Sequence, residues 1–146
     1  MLDPRLIDDV KGAEGFRLVA YKDSLGIWTC GYGHELFPQT SDWTGYKITQ
    51  TLAETWLEAD LESAAIFAQS LSEWSALNTP ARQNAIIELC FNMRKKWLLF
   101  VNTRAAIKAQ NWFEAHDALL ASLWATQVGK LRADRLADYL LTGEYS

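Results

Sequence analysis

Glu14-Gly15-Phe16-Arg17-Leu18-Val19-Ala20-Tyr21-Lys22-Asp23-Ser24-Leu25-Gly26-Ile27-Trp28-Thr29-Cys30-Gly31-Tyr32-Gly33-His34 is the stretch on which the fold is read. Eight residues separate its two carboxyls, and five separate Asp23 from Thr29. Upstream, Asp3 before Pro4 reads as a helix N-cap with proline at the first helical position, and Leu6, Ile7 and Val10 recur at helical spacing until Gly15 offers a C-terminal cap. A helix over 4–14 follows, with Glu14 at its foot on the stripe shared by Ile7 and Val10. A carboxyl there sits at the negative end of the helix dipole, which is poor for stability and suited to a proton donor. Downstream, aromatic and β-branched residues interrupted by Asp23-Ser24-Leu25-Gly26 read as a hairpin. Alternation on the returning strand points Thr29 away from Trp28 and Cys30, so one face holds Thr29 and the other packs. Taken singly, Asp23 is an ordinary turn-capping residue and Glu14 an ordinary helix-end carboxylate. Together, two carboxyls delivered by a helix end and a hairpin can flank one bond, one donating a proton and the other handling a water, which is the chemistry of a glycosidase.

Working outward, Leu36 to Ile48 contains Pro38, Ser41, Asp42 and Gly45 and reads as irregular loop or short strand. Thr49 then caps a long helix, expected over about 49–72, whose apolar positions include Leu52, Trp56, Leu57, Leu61, Ala64, Ala65, Phe67, Ala68 and Leu71. A helix of that length, ~1.5 Å per residue, is long enough to join two lobes, with a cleft expected between them. Asn78-Thr79-Pro80 repeats the cap-then-proline signal, and further helical patterns follow near 102–109, 112–125 and 130–141. The C-terminal half therefore reads as all helical.

The 146 residues, 49% hydrophobic with seven Trp, suffice for one packed domain. Two cysteines, Cys30 and Cys90, are too few for a disulfide framework, and two histidines without paired Cys/His spacing give no zinc motif, so no cofactor and no metal is implied. The first residues lack a signal-peptide pattern, and no apolar run approaches the ~20 residues of a membrane span, so a protein made in the cytoplasm is expected. The net charge of -4 divides into -7 over residues 1–79 (5 Lys/Arg, 12 Asp/Glu) and +3 over 80–146 (9 against 6). The acidic total argues against nucleic-acid binding, while the cationic half can attract an anionic polymer.

The stretch from Glu14 to His34 resembles the phage-type lysozymes, the endolysins of glycoside hydrolase family 24, whose pattern is a Glu, eight residues, an Asp or Cys, five residues and a Thr. Tyr21-Lys22-Asp23 and the form Thr29-x-Gly31-x-Gly33-His34 follow the same family. The resemblance implies an α+β, mostly helical lysozyme-like fold. It comprises a small N-terminal lobe with a β-hairpin (about 12–50), a connecting helix (about 49–72) and a larger helical C-terminal lobe (about 73–146) against which the first helix packs. It also implies hydrolysis of the β-1,4 bond between N-acetylmuramic acid and N-acetylglucosamine in peptidoglycan, with inversion at the anomeric carbon. Glu14 would be the general acid, and Asp23 with Thr29 would position the water.

The same resemblance places Phe91 and Thr103 at saccharide-contacting positions. Glu35 and Ala118 fall at two more, where a relative carries an aliphatic residue and an amide, so those contacts differ. His34 with Asp60 would form a supporting ion pair. Gln127, Arg132-Ala133 and Arg135 match a C-terminal family segment that sets Arg132 beside Glu14. Peptidoglycan is the implied partner, for a monomer that relies on a separate holin to leave the host cytoplasm and reach the periplasmic wall. One departure is Met93 to Phe100, where relatives have a Gly-rich turn. There Arg94-Lys95-Lys96 before Trp97-Leu98-Leu99-Phe100 resembles a basic membrane-surface segment, with core packing the simpler reading. A non-catalytic peptidoglycan-binding domain and a membrane-disrupting helical protein are the alternatives to an enzyme.

Overall fold

The computed structural model describes residues 2–145. In chain order the elements are α1 (Pro4–Glu14), β1 (Arg17–Lys22), β2 (Trp28–Gly31), β3 (His34–Glu35), α2 (Gln50–Gln69), α3 (Pro80–Met93), α4 (Val101–Lys108), α5 (Trp112–Leu120), α6 (Leu123–Val128) and α7 (Lys130–Thr142). Short 3-10 turns cover Trp74–Ala76 and Arg94–Leu99. This is an α+β chain dominated by helix, as the sequence predicts. It divides into two compact units, Met1–Ser63 and Ala64–Ser146, and α2 runs from the first into the second.

In the first unit the local signals act as read. Asp3 Oδ1 accepts the N–H of Arg5 at 2.9 Å and starts α1, and Gly15, at φ 68°, ends it. β1 and β2 form the hairpin, paired antiparallel with Tyr21 opposite Thr29 and Lys22 opposite Trp28, and with a register irregularity between Arg17 and Tyr21. A second hairpin not expected from the sequence pairs β2 with β3 through Thr29–Glu35 and Cys30–His34. It turns on Gly31 and Gly33, at φ 67° and 75°, a region that L side chains disfavour. Leu36 to Ile48 is mainly loop, tied back by a bridge between Val19 and Lys47 and by Gln39, whose side chain accepts the Trp28 N–H at 2.7 Å and donates to the Trp28 carbonyl at 3.0 Å. Thr49 Oγ1 accepts the N–H of Leu52 at 3.1 Å, so the expected cap of α2 forms, although the helix ends at Gln69 and spans ~30 Å.

The second unit is helical. Thr79 caps α3 by accepting the N–H of Arg82, and α3 is buried along nearly its whole length. The pattern over 112–125 resolves into two helices, because Ser122 accepts the N–H of Ala125 at 3.3 Å and starts α6 anew. Buried ions hold the unit together. The Glu73 carboxylate receives Arg104 Nε at 2.8 Å, Arg104 Nη2 at 3.0 Å and the Trp97 indole N–H at 2.9 Å. The Glu88 carboxylate receives Arg135 through both terminal nitrogens, at 2.9 and 2.8 Å, and Arg132 Nε at 3.0 Å. Arg82 donates to the Leu140 and Leu141 carbonyls and lies over the Trp112 ring, tying α3 to the end of α7. Both cysteines are unpaired and buried, and burial pushes the Cys90 thiol up to about 12, so it is not a nucleophile at neutral pH.

No helix among the described residues is long and apolar enough to cross a membrane. The segment from Arg94 is not an amphipathic α-helix: it is one 3-10 stretch whose Trp97 points fully inward. Arg94 opens it at φ 55° and ψ -132°, a conformation built for glycine. Arg94→Gly is therefore expected to stabilise the protein by about 1 kcal/mol, raising Tm by about 3 °C in a thermal melt.

Candidate active site

The first unit carries Glu14 at the end of α1, Asp23 in the loop between β1 and β2, Thr29 on β2, His34 and Glu35 on β3, and Asp60 on α2. Glu14 is the last residue of α1, and Gly15 ends the helix two residues before β1 begins at Arg17. Its carboxyl lies against the second hairpin: a Cβ built on Gly33 would stand 2.8 Å from Glu14 Oε2 and 3.0 Å from its Cδ. Only a residue with no side chain leaves room for the acid there, which gives Gly33 a role beyond its turn.

Asp23 combines the turn-capping and candidate catalytic readings. Its Oδ1 accepts the N–H groups of Leu25 at 2.8 Å and Ile27 at 3.0 Å, which shapes the hairpin loop. Its Oδ2 accepts from no donor among the described residues and stays available. Thr29 is 4% exposed and its hydroxyl donates to the Ile27 carbonyl at 2.9 Å, leaving lone pairs that can accept. Thr29 and Cys30, on opposite faces of β2, the central strand of three, are both buried.

His34 Nδ1 stands 2.7 Å from Asp60 Oδ2, and the His34 ring stacks on Trp56 at 4.3 Å between centroids. Two contacts from β3 to α2 thus fix the hairpin that carries Gly33. Gly31 adds a third, since a Cβ there would meet Ala53 Cβ at 3.1 Å.

The phage lysozyme family profile matches residues 11–137. The chain belongs to the phage lysozyme family. It is 32% identical to the pre-baseplate central spike protein Gp5 of Enterobacteria phage T4 over 153 aligned positions, covering 89% of this chain and 26% of that protein. It is 33% identical over 122 positions to the endolysin of Salmonella phage P22, covering 81% and 79%. With the endolysin of Acyrthosiphon pisum secondary endosymbiont phage 1 it shares 34% identity over 87 positions, covering 58% and 53%. The chain thus spans about a quarter of the spike protein and about half of the last endolysin.

Within this family member the remaining sequence-assigned residues fall as follows. Glu35 is half-buried on β3, opposite Thr29. Phe91 on α3 and Thr103 on α4 are 8% and 3% exposed, so a saccharide could meet only their edges. Ala118 is half-buried on α5. Arg132 is on α7 and gives its Nε to Glu88, a carboxylate the sequence reading did not single out. Tyr21 was also missed as a site residue. It faces Thr29 across the strand pair, on the same side of the sheet. Its phenol is raised above the ordinary value, first by burial and then by the charge of Glu14. The signal for it is the register itself: Tyr21 and Thr29 are equidistant from the centre of the 23–27 loop.

No group of three or more His, Cys, Asp or Glu able to hold a metal occurs among the described residues.

Proposed function

We propose that the protein is a muramidase that hydrolyses the β-1,4 bond between N-acetylmuramic acid and N-acetylglucosamine in peptidoglycan. The observation that carries this reading is the Glu14 carboxyl seated against Gly33, in the unit that also presents the unengaged oxygen of Asp23 and the hydroxyl of Thr29. Family membership agrees with it, and the names of two relatives are those of lytic enzymes. A glycosidase needs a proton donor for the leaving oxygen and a base for the incoming water. Glu14 protonates the glycosidic oxygen, and the C1–O bond breaks with positive charge developing on the ring. The Thr29 proton is committed to Ile27, so its oxygen accepts one proton of the water as Asp23 Oδ2 accepts the other. The water lone pair is then aimed at the anomeric carbon. As the new C–O bond forms, Asp23 takes the water's proton, leaving Glu14 ionised and Asp23 neutral until solvent exchange resets both. Attack from the face opposite the leaving group inverts the centre.

On the same reading Glu35, Phe91, Thr103 and Ala118 contact saccharide, and the protein acts as a monomer in host lysis. It crosses from the host cytoplasm to the periplasmic wall through membrane lesions made by a holin.

Mass analysis of the fragments released from purified peptidoglycan tests the chemistry. Ends one water heavier than the anhydro form, with the α-anomer appearing first, are expected. Anhydro ends would make the protein a lytic transglycosylase, and no release would make it a binding domain. Gly33→Ala supplies a separate prediction. The added methyl must displace the Glu14 carboxyl, so kcat on peptidoglycan fragments should fall about tenfold to a hundredfold with KM little changed. The positive φ at this position should cost the fold about 1 kcal/mol.

A further inference from the structure

The 3-10 segment Arg94–Leu99 repeats every three residues, so side chains at i and i+3 lie in line. One row is Trp97 and Phe100, whose rings stack at 5.4 Å, with Trp97 fully buried and its indole held by Glu73. The other rows follow by elimination. Lys95 lines up with Leu98 and then with Val101 at the start of α4, and Lys96 lines up with Leu99. Both lysines are exposed, and Leu98, Leu99 and Val101 are 39%, 78% and 66% exposed. Each outward row therefore has an ammonium at one end and an aliphatic group at the other. Neither lysine has an ion-pair partner among the described residues.

The charge along this part of the chain has one sign. From Leu89 to Phe113 the sequence contains Arg94, Lys95, Lys96, Arg104 and Lys108 and no Asp or Glu. Arg104 is spent on buried Glu73. Leucines that protrude beside paired lysines suit a surface that is anionic outside and apolar just beneath. The buried Trp97 anchor holds the knuckle in place, so docking it orders little additional chain.

We propose that the knuckle Lys95–Val101 is a docking surface for an anionic phospholipid bilayer. Lys95 and Lys96 pair with lipid phosphates while Leu98, Leu99 and Val101 enter the acyl boundary. Trp97 stays in the core, so this is peripheral association without disruption of the bilayer, and it stands independently of the muramidase reading.

Co-sedimentation with vesicles of 30% phosphatidylglycerol in phosphatidylcholine, and with pure phosphatidylcholine, decides it. The wild type should partition onto the anionic vesicles alone, more weakly in high salt. Lys95→Gln/Lys96→Gln should lower the partition coefficient about 25-fold, or about fivefold per lysine. Leu98→Ser/Leu99→Ser should lower it at least tenfold at equal charge. All four side chains are exposed, and far-UV circular dichroism confirms that the variants stay folded. Equal binding to both vesicle types, or no binding to either, overturns the proposal. So does binding that needs the lysines but not the leucines, which would make the knuckle a plain cationic surface.

Discussion

Glu14→Gln should remove wall-clearing activity by about 10² to 10⁴-fold, the usual cost of deleting a positioned general acid. In barrier terms that is roughly 3 to 5 kcal/mol. The substitution is nearly isosteric, and the amide can occupy the same space against the backbone of Gly33, so the hairpin has no reason to move. What it lacks is a proton that can pass to the glycosidic oxygen. The measurement is turbidity clearing of a cell-wall suspension, paired with a thermal melt that should shift by less than a few degrees. Retention of Glu14→Gln on insoluble peptidoglycan should persist, because binding does not need the acid. Glu14→Asp separates distance from chemistry: the acid remains, but a shorter side chain withdraws it from Gly33, and an intermediate loss is expected. Clearing by Glu14→Gln within a few-fold of wild type would remove the basis for assigning hydrolysis to this site.

Features set by adjacent residues were legible in the sequence. Asp3-Pro4 and Gly15 bracket α1 because capping is a two- or three-residue event, and Thr49 and Thr79 announce α2 and α3 in the same way. The Asp23 loop was legible because its carboxylate bonds its own neighbours. β3 was not, since two residues carry no periodicity and the strand exists only because Gly31 and Gly33 fold it back. The break at Ser122 was hidden inside an apolar run that continues across it. The buried carboxylates are the largest omission. Glu73 follows Ser70-Leu71-Ser72, which reads as polar loop, and its partner Arg104 is 31 residues further on. Glu88 sits in a helix whose pattern gives no sign that Arg132 and Arg135, 44 and 47 residues away, enclose it. For the candidate site, the spacing of Glu14, Asp23 and Thr29 was visible. The seat that Gly33 provides for the acid, and the presence of Tyr21 beside Thr29, depend on strand register.

Glu73→Gln should be the most damaging single change to stability outside the apolar core. Burial opposes ionisation of this carboxyl, but the Arg104 hydrogen bonds, with those of Trp97 and the backbone, outweigh it and hold the group below the ordinary carboxylate range. Glutamine still accepts from one donor but turns an amide N–H₂ toward donors and leaves the Arg104 charge unmatched in a part-buried position. Removing one partner of such a pair costs about 3 to 5 kcal/mol, or a Tm lower by about 10 °C. The dependence on pH follows from the direction of the shift. A carboxyl whose folded pKa is depressed adds stability that is complete above its unfolded value, near 4.3, and is lost as pH falls through the lower folded value. The Tm difference between wild type and Glu73→Gln should therefore be constant from pH 7 to about 5 and narrow at more acid pH. A carboxyl kept neutral by burial would give the opposite trend, with the difference growing toward acid. Near-UV circular dichroism of Trp97 supplies a local readout, because its indole loses a charged acceptor in the variant. A gap in Tm that widens on acidification would show that Glu73 is protonated in the folded protein and that Arg104 does not hold it as an ion.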